Sequence, residues 1–163
     1  MMEEVEYSGE TYFAKRLEEN DLFEQVSKEK AHVTAQAEIL EYVKRSGVKG
    51  ICEAEHFIVT TGNVRMILFK KFPKGATLYQ KVESGRVPPA ELIRIVIQVA
   101  RTVEALNAVG VIHWDIKPGN VWLGDNGEVI LYDFDTAFRT VPEFLGRDLA
   151  ATGTALYMTA DRY

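Results

Sequence analysis

Four residues near the middle of the chain have types and spacing suited to chemistry on a phosphoryl group. In "VIHWDIKPGN", residues 111–120, an apolar run is followed by Asp115, by Lys117 two residues on and by Asn120 five on. About thirteen residues after Asn120, the run "YDFD" delivers a second carboxylate, Asp133, at the end of an expected strand. An Asp/Asn pair from two loops is an all-oxygen ligand set of the kind Mg²⁺ prefers, and it leaves room for some of the ion's waters. A further carboxylate, Asp115, can orient or accept the proton of an attacking hydroxyl, and Lys117 can neutralise charge on a phosphoryl group in transfer. Phosphoryl transfer asks for such positioning and electrostatics more than for covalent chemistry. Singly, each residue is as ordinary as a turn residue or helix cap. The four together carry the reading.

These residues need elements to hold them. "PPAELIRIVIQVARTVEALNAVG" predicts a long helix: Pro88 and Pro89 suit its start, Gly110 its end, and Leu92, Ile95, Val96, Val99, Val103 and Leu106 trace a wide apolar stripe. After the Asp115 loop, "VWL" and "VILYDF" flank a "GDNG" turn and predict a hairpin. Upstream, "EEVEY" and "TYFAKRL" flank "SGE" as one hairpin, and "HFIVTTGNVRMILFKKF" alternates around a Gly-Asn turn as another. Residues 21–45 lack Gly and Pro, and Val33, Ala37, Leu40 and Val43 share one face of an expected helix. "PKG" breaks the pattern before a short helix at about 77–83, and residues 136–156 read mostly as loop. Strand pairs early, a hinge-like "FPKG" and a long helix later predict an α+β chain of two small lobes.

Composition narrows the class. The chain has 163 residues, 47% hydrophobic and 26% charged, which suits one globular domain and hardly two. A net charge of −5 does not favour nucleic acid or anionic lipid as partners. The single cysteine, Cys52, excludes an internal disulfide framework, reads as a small buried hydrophobe and fits a reducing compartment. No basic-then-apolar signal peptide opens the sequence, and apolar runs end well short of membrane-spanning length. The expectation is a soluble, cytoplasmic chain. His32, His56 and His113 lack the spacing of a metal site, and Glu3, Glu4 and Glu6 read as a solvated strand face.

Placed in order, these segments resemble the eukaryotic-like serine/threonine protein kinases. "HWDIKPGN" is similar to the catalytic loop His-Arg-Asp-x-Lys-x-x-Asn, and "DFD" to the Asp-Phe-Gly element. "GTALYMTAD", residues 153–161, resembles the segment closing the activation loop, "YFAKRL" the strand of the phosphate-binding lysine, and "FPKGATL" the hinge. The resemblance implies one kinase-like domain over 1–163: an N-lobe part over 1–70, a hinge over 71–76 and a partial C-lobe over 77–163. It implies ATP and Mg²⁺ as cofactors, Asp115 as catalytic base, Lys117 as γ-phosphate stabiliser, and Asn120 and Asp133 as metal ligands. Lys15 would hold the α- and β-phosphates, Gln36 would approach Lys15, Lys71 and Phe72 would lie at the adenine, and Thr154 would bond the catalytic Asp and Lys.

Departures from the family pattern are as specific as the matches. No Gly-x-Gly-x-x-Gly loop is present, and Gln36 stands in the best register for the helix glutamate, with Glu38 and Glu41 as other candidates. Trp114 replaces the arginine that answers an activation-loop phosphate, so it is expected to pack. Asp135 replaces the glycine of Asp-Phe-Gly, and "TAD" replaces Ala-Pro-Glu. The C-terminal helices that cover the long helix in a complete kinase are also missing, and Ile93, Ile97 and Ala100 widen its apolar arc. A homodimer or a hetero-complex is therefore expected there. Two functions fit: a minimal protein kinase, favoured by Asp115, Lys117, Asn120 and Asp133, and a catalytically impaired nucleotide-binding or kinase-mimicking module, favoured by the departures.

Overall fold

The computed structural model describes residues 2–16, 35–60, 63–85 and 87–140. The acidic opening forms β1 (Met2–Tyr7), and Ser8 and Gly9, at φ 51° and 83°, turn the chain into β2 (Glu10–Arg16). Two consecutive positive φ values match the twist of a hairpin, and glycine takes the second at little cost. Side chains alternate along β2, so Tyr12 and Ala14 pack with Leu68 on one face while Phe13 and Lys15 point the other way. β3 (Ala54–Thr60) and β4 (Asn63–Lys70) complete an antiparallel sheet of order β1-β2-β4-β3, with Phe13 opposite Phe69 and Lys15 opposite Ile67. Both expected hairpins are present. Helix α1 (35–45) buries Ala37, Ile39, Leu40 and Val43 against Ile67 and Phe69 of β4. Residues 21–34 of the helix expected over 21–45 lie outside the described residues.

Residues 71–74 lead into β5 (Gly75–Thr77). A Cβ on Gly75 would stand 2.1 Å from the Leu123 carbonyl oxygen, so only glycine allows the strand to close on its neighbour. Thr77 caps α2 (Leu78–Glu83): its Oγ1 accepts the Gln80 N–H at 3.1 Å while the Gln80 amide oxygen accepts the Thr77 N–H at 3.1 Å. α3 (Pro89–Ala108) has proline in its first turn, where the missing N–H costs nothing, and Gly110 at φ 72° turns the chain beyond it. The helix buries Ile95 and Leu106 and leans Leu92, Val99 and Val103 on the core. Val96, expected on the buried stripe, is 55% exposed beside Ile93 and Ile97, because the arc is wider than the core it faces. Among the described residues, none is a helix long and apolar enough to cross a membrane.

Beyond α3 run β6 (Val111–Ile112), a 3₁₀ turn (Pro118–Asn120), β7 (Val121–Gly124), β8 (Val129–Leu131) and β9 (Phe138–Arg139). β5, β7 and β8 form one sheet, and β6 pairs with β9. β7 and β8 are the hairpin expected around "GDNG". β9 corrects the loop reading at residues 138–139; residues 141–156 of that stretch lie outside the described ones. The α+β class stands. The larger core cluster among the described residues runs from α1 and β4 through Phe72 to Leu106, Leu131 and Phe134, so the two halves share it.

Candidate active site

The loop after β6 is pinned from several sides. β6 pairs Val111 with Arg139 of β9, and Thr140 donates its N–H to the Gly110 carbonyl at 2.8 Å. Thr136 Oγ1 donates to the His113 carbonyl at 3.1 Å. His113 itself is 3% exposed, and its Nδ1 accepts the Asp115 N–H at 3.3 Å. The proton therefore sits on Nε2, which donates to the Tyr132 carbonyl at 3.1 Å. Burial pulls the imidazole below its ordinary value, so the ring is neutral and acts as a two-ended bracket between the Asp115 loop and the residue before Asp133. Phe134, fully buried, stands edge-on to that ring at 4.6 Å and holds the "DFD" turn against the core.

Asp115, Lys117 and Asn120 are brought together as the spacing implies. Lys117 Nζ lies 2.7 Å from Asp115 Oδ2. Asn120, 4% exposed, donates Nδ2–H to both the main-chain oxygen and Oδ2 of Asp115, each at 3.0 Å. With Nδ2 committed to Asp115, the planar amide turns its oxygen away from that carboxylate, the orientation a cation ligand requires. The 3₁₀ turn supplies this geometry: Asn120 N–H bonds the Lys117 carbonyl at 2.9 Å, and Tyr132 OH donates to the Gly119 carbonyl. Trp114 has φ 70° and stacks its ring edge-on to Phe138 at 5.2 Å, so it packs as expected. Asp133 has φ 67°; two non-glycine residues in the left-handed region, each at a cost of about 1 kcal/mol or more, flank the same site.

Lys15 reaches across from β2. Its Nζ lies 3.5 Å from Asp133 Oδ1 and donates to Asp135 Oδ1. Burial and the neighbouring Asp135 push the Asp133 carboxyl above its ordinary range, while Lys15 pulls the other way. The donors here are carboxylate and amide oxygens crowded beside excess negative charge, which fits Mg²⁺. Gln36 is 3% exposed on α1, and Lys15 bonds Asp133 and Asp135. Lys71 extends to Glu4 of β1 at 3.0 Å. Phe72 is buried among Phe13, Trp122 and Tyr132. Thr154 lies outside the described residues. Sequence reasoning did not anticipate His113 as a bracket or Asp135 as a partner of Lys15; an apolar run ending in a histidine was the signal for the first, and the second has no local signature.

The profile described as Protein kinase domain matches residues 6–161. Among curated proteins, the chain is 26% identical over 152 residues to serine/threonine-protein kinase WAG1 of Arabidopsis thaliana, covering 89% of this chain and 30% of that protein. It is 27% identical over 107 residues to myotonin-protein kinase of Mus musculus, covering 65% and 17%. It is 34% identical over 79 residues to serine/threonine-protein kinase PknH of Mycobacterium tuberculosis, covering 48% and 13%. The chain spans less than a third of the length of these relatives.

Proposed function

The chain belongs to the protein kinase family, and from that premise we propose that it transfers the γ-phosphate of ATP, with Mg²⁺, to a serine or threonine hydroxyl of a protein. The observation that carries this reading is the Asp115–Lys117–Asn120 cluster, closed at 2.7 and 3.0 Å. Asp115 accepts the hydroxyl proton as that oxygen attacks the γ-phosphorus; the bond from phosphorus to the β,γ-bridging oxygen breaks, and its electron pair leaves on ADP. Lys117, beside Asp115, stabilises charge on the phosphoryl oxygens in transfer. Lys15 exchanges its carboxylate partners for the α- and β-phosphates. Asn120 holds Asp115 in place, and the nucleotide's base end lies toward Lys71 and Phe72 of the hinge. When bound at Asn120 and Asp133, Mg²⁺ would supply neutralisation of the phosphate charge.

The buried Cys52 and the absence of a second cysteine support a reducing, cytoplasmic setting. The exposed Ile93, Val96 and Ile97 of α3 support a protein partner or a second copy on that face. Size-exclusion chromatography over micromolar concentrations tests this; a clean monomer speaks against the second copy. A second reading, a catalytically impaired binding module, draws on the two carboxylates that occupy Lys15 and on Gln36 in place of an acid. Thermal shift with ATP and Mg²⁺ separates these readings when paired with a transfer assay on wild type and Asp133→Ala. No shift sinks the nucleotide site, and a shift without transfer favours the binding module.

A further inference from the structure

Four aromatic side chains meet where the hinge joins the two halves, and the phosphate chemistry described above uses none of them. Phe13 comes from β2, two residues before Lys15 and on the same face. Phe72 comes from the hinge, Trp122 from β7 and Tyr132 from the residue before Asp133. Phe72 is central: its ring centroid lies 5.3 Å from Phe13, 5.6 Å from Trp122 and 5.6 Å from Tyr132, and it is 8% exposed. These are contact distances for tilted and edge-on rings. A planar base inserted between two walls needs about 7 Å, twice the carbon–carbon contact distance. The cluster leaves no such gap around Phe72.

The backbone on either side of Lys71 and Phe72 is engaged as well. Trp122 Nε1–H donates to the Pro73 carbonyl at 3.0 Å, which ties the indole to the hinge. Pro73 has no N–H to offer a base. The Lys70 N–H is bonded to Glu53 O at 2.9 Å, and the Lys74 carbonyl accepts the Asp125 N–H at 2.6 Å. Gly75 closes directly on Leu123 and Gly124, so the hinge cannot retreat from β7 without breaking that pair.

We propose that Phe13, Phe72, Trp122 and Tyr132 fill the base end of the nucleotide site, so that this chain binds the magnesium triphosphate through Lys15, Asn120 and Asp133 with little discrimination of the base. The proposal rests on the phosphate-end reading and adds what the hinge end does. ATP, GTP and inorganic triphosphate then bind alike, because the base stays outside the ring cluster. Removing a ring opens a slot in which a purine stacks on the rings that stay.

The experiment is isothermal titration of the whole chain with Mg²⁺ and each of ATP, GTP and inorganic triphosphate. Wild type is expected to bind all three within about threefold, whereas stacking of a base ordinarily adds about tenfold or more. Trp122→Leu, and separately Phe13→Ala, are expected to tighten ATP about tenfold over triphosphate. Two variants on different elements guard against one that fails to fold, and the wild-type comparison stands without either. A wild type that prefers ATP to triphosphate by tenfold or more overturns the proposal and leaves the phosphate-end reading standing. Folded variants that gain no ATP preference also overturn it. If neither ATP, GTP nor triphosphate binds wild type, the phosphate end fails, and both readings fall.

Discussion

Lys15→Met tests the electrostatics of the site most sharply, since methionine keeps the apolar stem and removes the charge. In the native chain Nζ stands 3.5 Å from Asp133 Oδ1 and bonds Asp135. Two unit charges at that separation attract by about 5 kcal/mol at an effective dielectric near 20. The carboxylates are 36% and 48% exposed, so screening and the cost of desolvation reduce the net loss to about 1–2 kcal/mol. The loss depends on pH with a definite sign. Asp133 titrates above its ordinary range in the fold, and losing Lys15 raises it further. A carboxyl raised in the folded state contributes stability that is full below its unfolded value, near 3.8, and is lost as pH rises through the folded value. Lys15→Met should therefore cost about 1–2 kcal/mol at neutral pH, roughly 2–6 °C in melting temperature, and less as pH falls toward 4. Urea unfolding of both proteins across that range is the assay. A cost that is the same at both ends of the range would refute the charge argument, as would a variant as stable as wild type at neutral pH.

Three further outcomes follow from the same geometry. His113 is held neutral, its value lowered from 6.5, so the unfolded chain binds a proton that the folded chain does not, and stability falls as pH drops below about 6.5. His113→Leu should cost about 1–3 kcal/mol at pH 7.5, by stranding the Tyr132 carbonyl and the Asp115 N–H, and should flatten that acid-side fall in melting temperature; parallel pH profiles would contradict the bracket. Gly75→Ala drives a Cβ to 2.1 Å from the Leu123 oxygen and should destabilise the chain by about 3 kcal/mol or more in urea, with near-native stability counting against the close approach of β5 and β7. Cys52 is 2% exposed, with its thiol pushed up to about 12 by burial, so a thiol reagent at pH 8 should label it only at the rate of unfolding. Rapid labelling of the native protein would show the core to be open there.

Much of the site was legible because its logic is local. Asp115, Lys117 and Asn120 lie within one short loop, so their spacing alone brings a carboxylate, an ammonium and an amide into bonding distance once the loop is pinned. The alternation of β2 likewise put Lys15 and Phe13 on one face, and the period of α3 marked Ile95 and Leu106 as core. What was not legible is what folding joins at long range. Lys15 and Asp135 are 120 positions apart, and no pattern in either segment predicts that they meet. The ring cluster draws one residue from each of four segments, and no pattern within any one segment predicts that the four meet. β6 and β9 are two residues each, too short to leave a period in the sequence. On α3 the apolar stripe was wider than the surface available to cover it, so hydrophobicity alone placed Val96 in a core it does not reach.

The most direct test of the whole account is transfer of labelled γ-phosphate from ATP with Mg²⁺ to a mixed protein substrate, with the modified residues read by mass spectrometry. The account predicts Mg²⁺-dependent label on serine or threonine by wild type, reduced about 100-fold or more in Asp115→Asn and in Asp133→Asn. Equal labelling by wild type and both variants, or none by a wild type shown to bind the magnesium nucleotide, would contradict it.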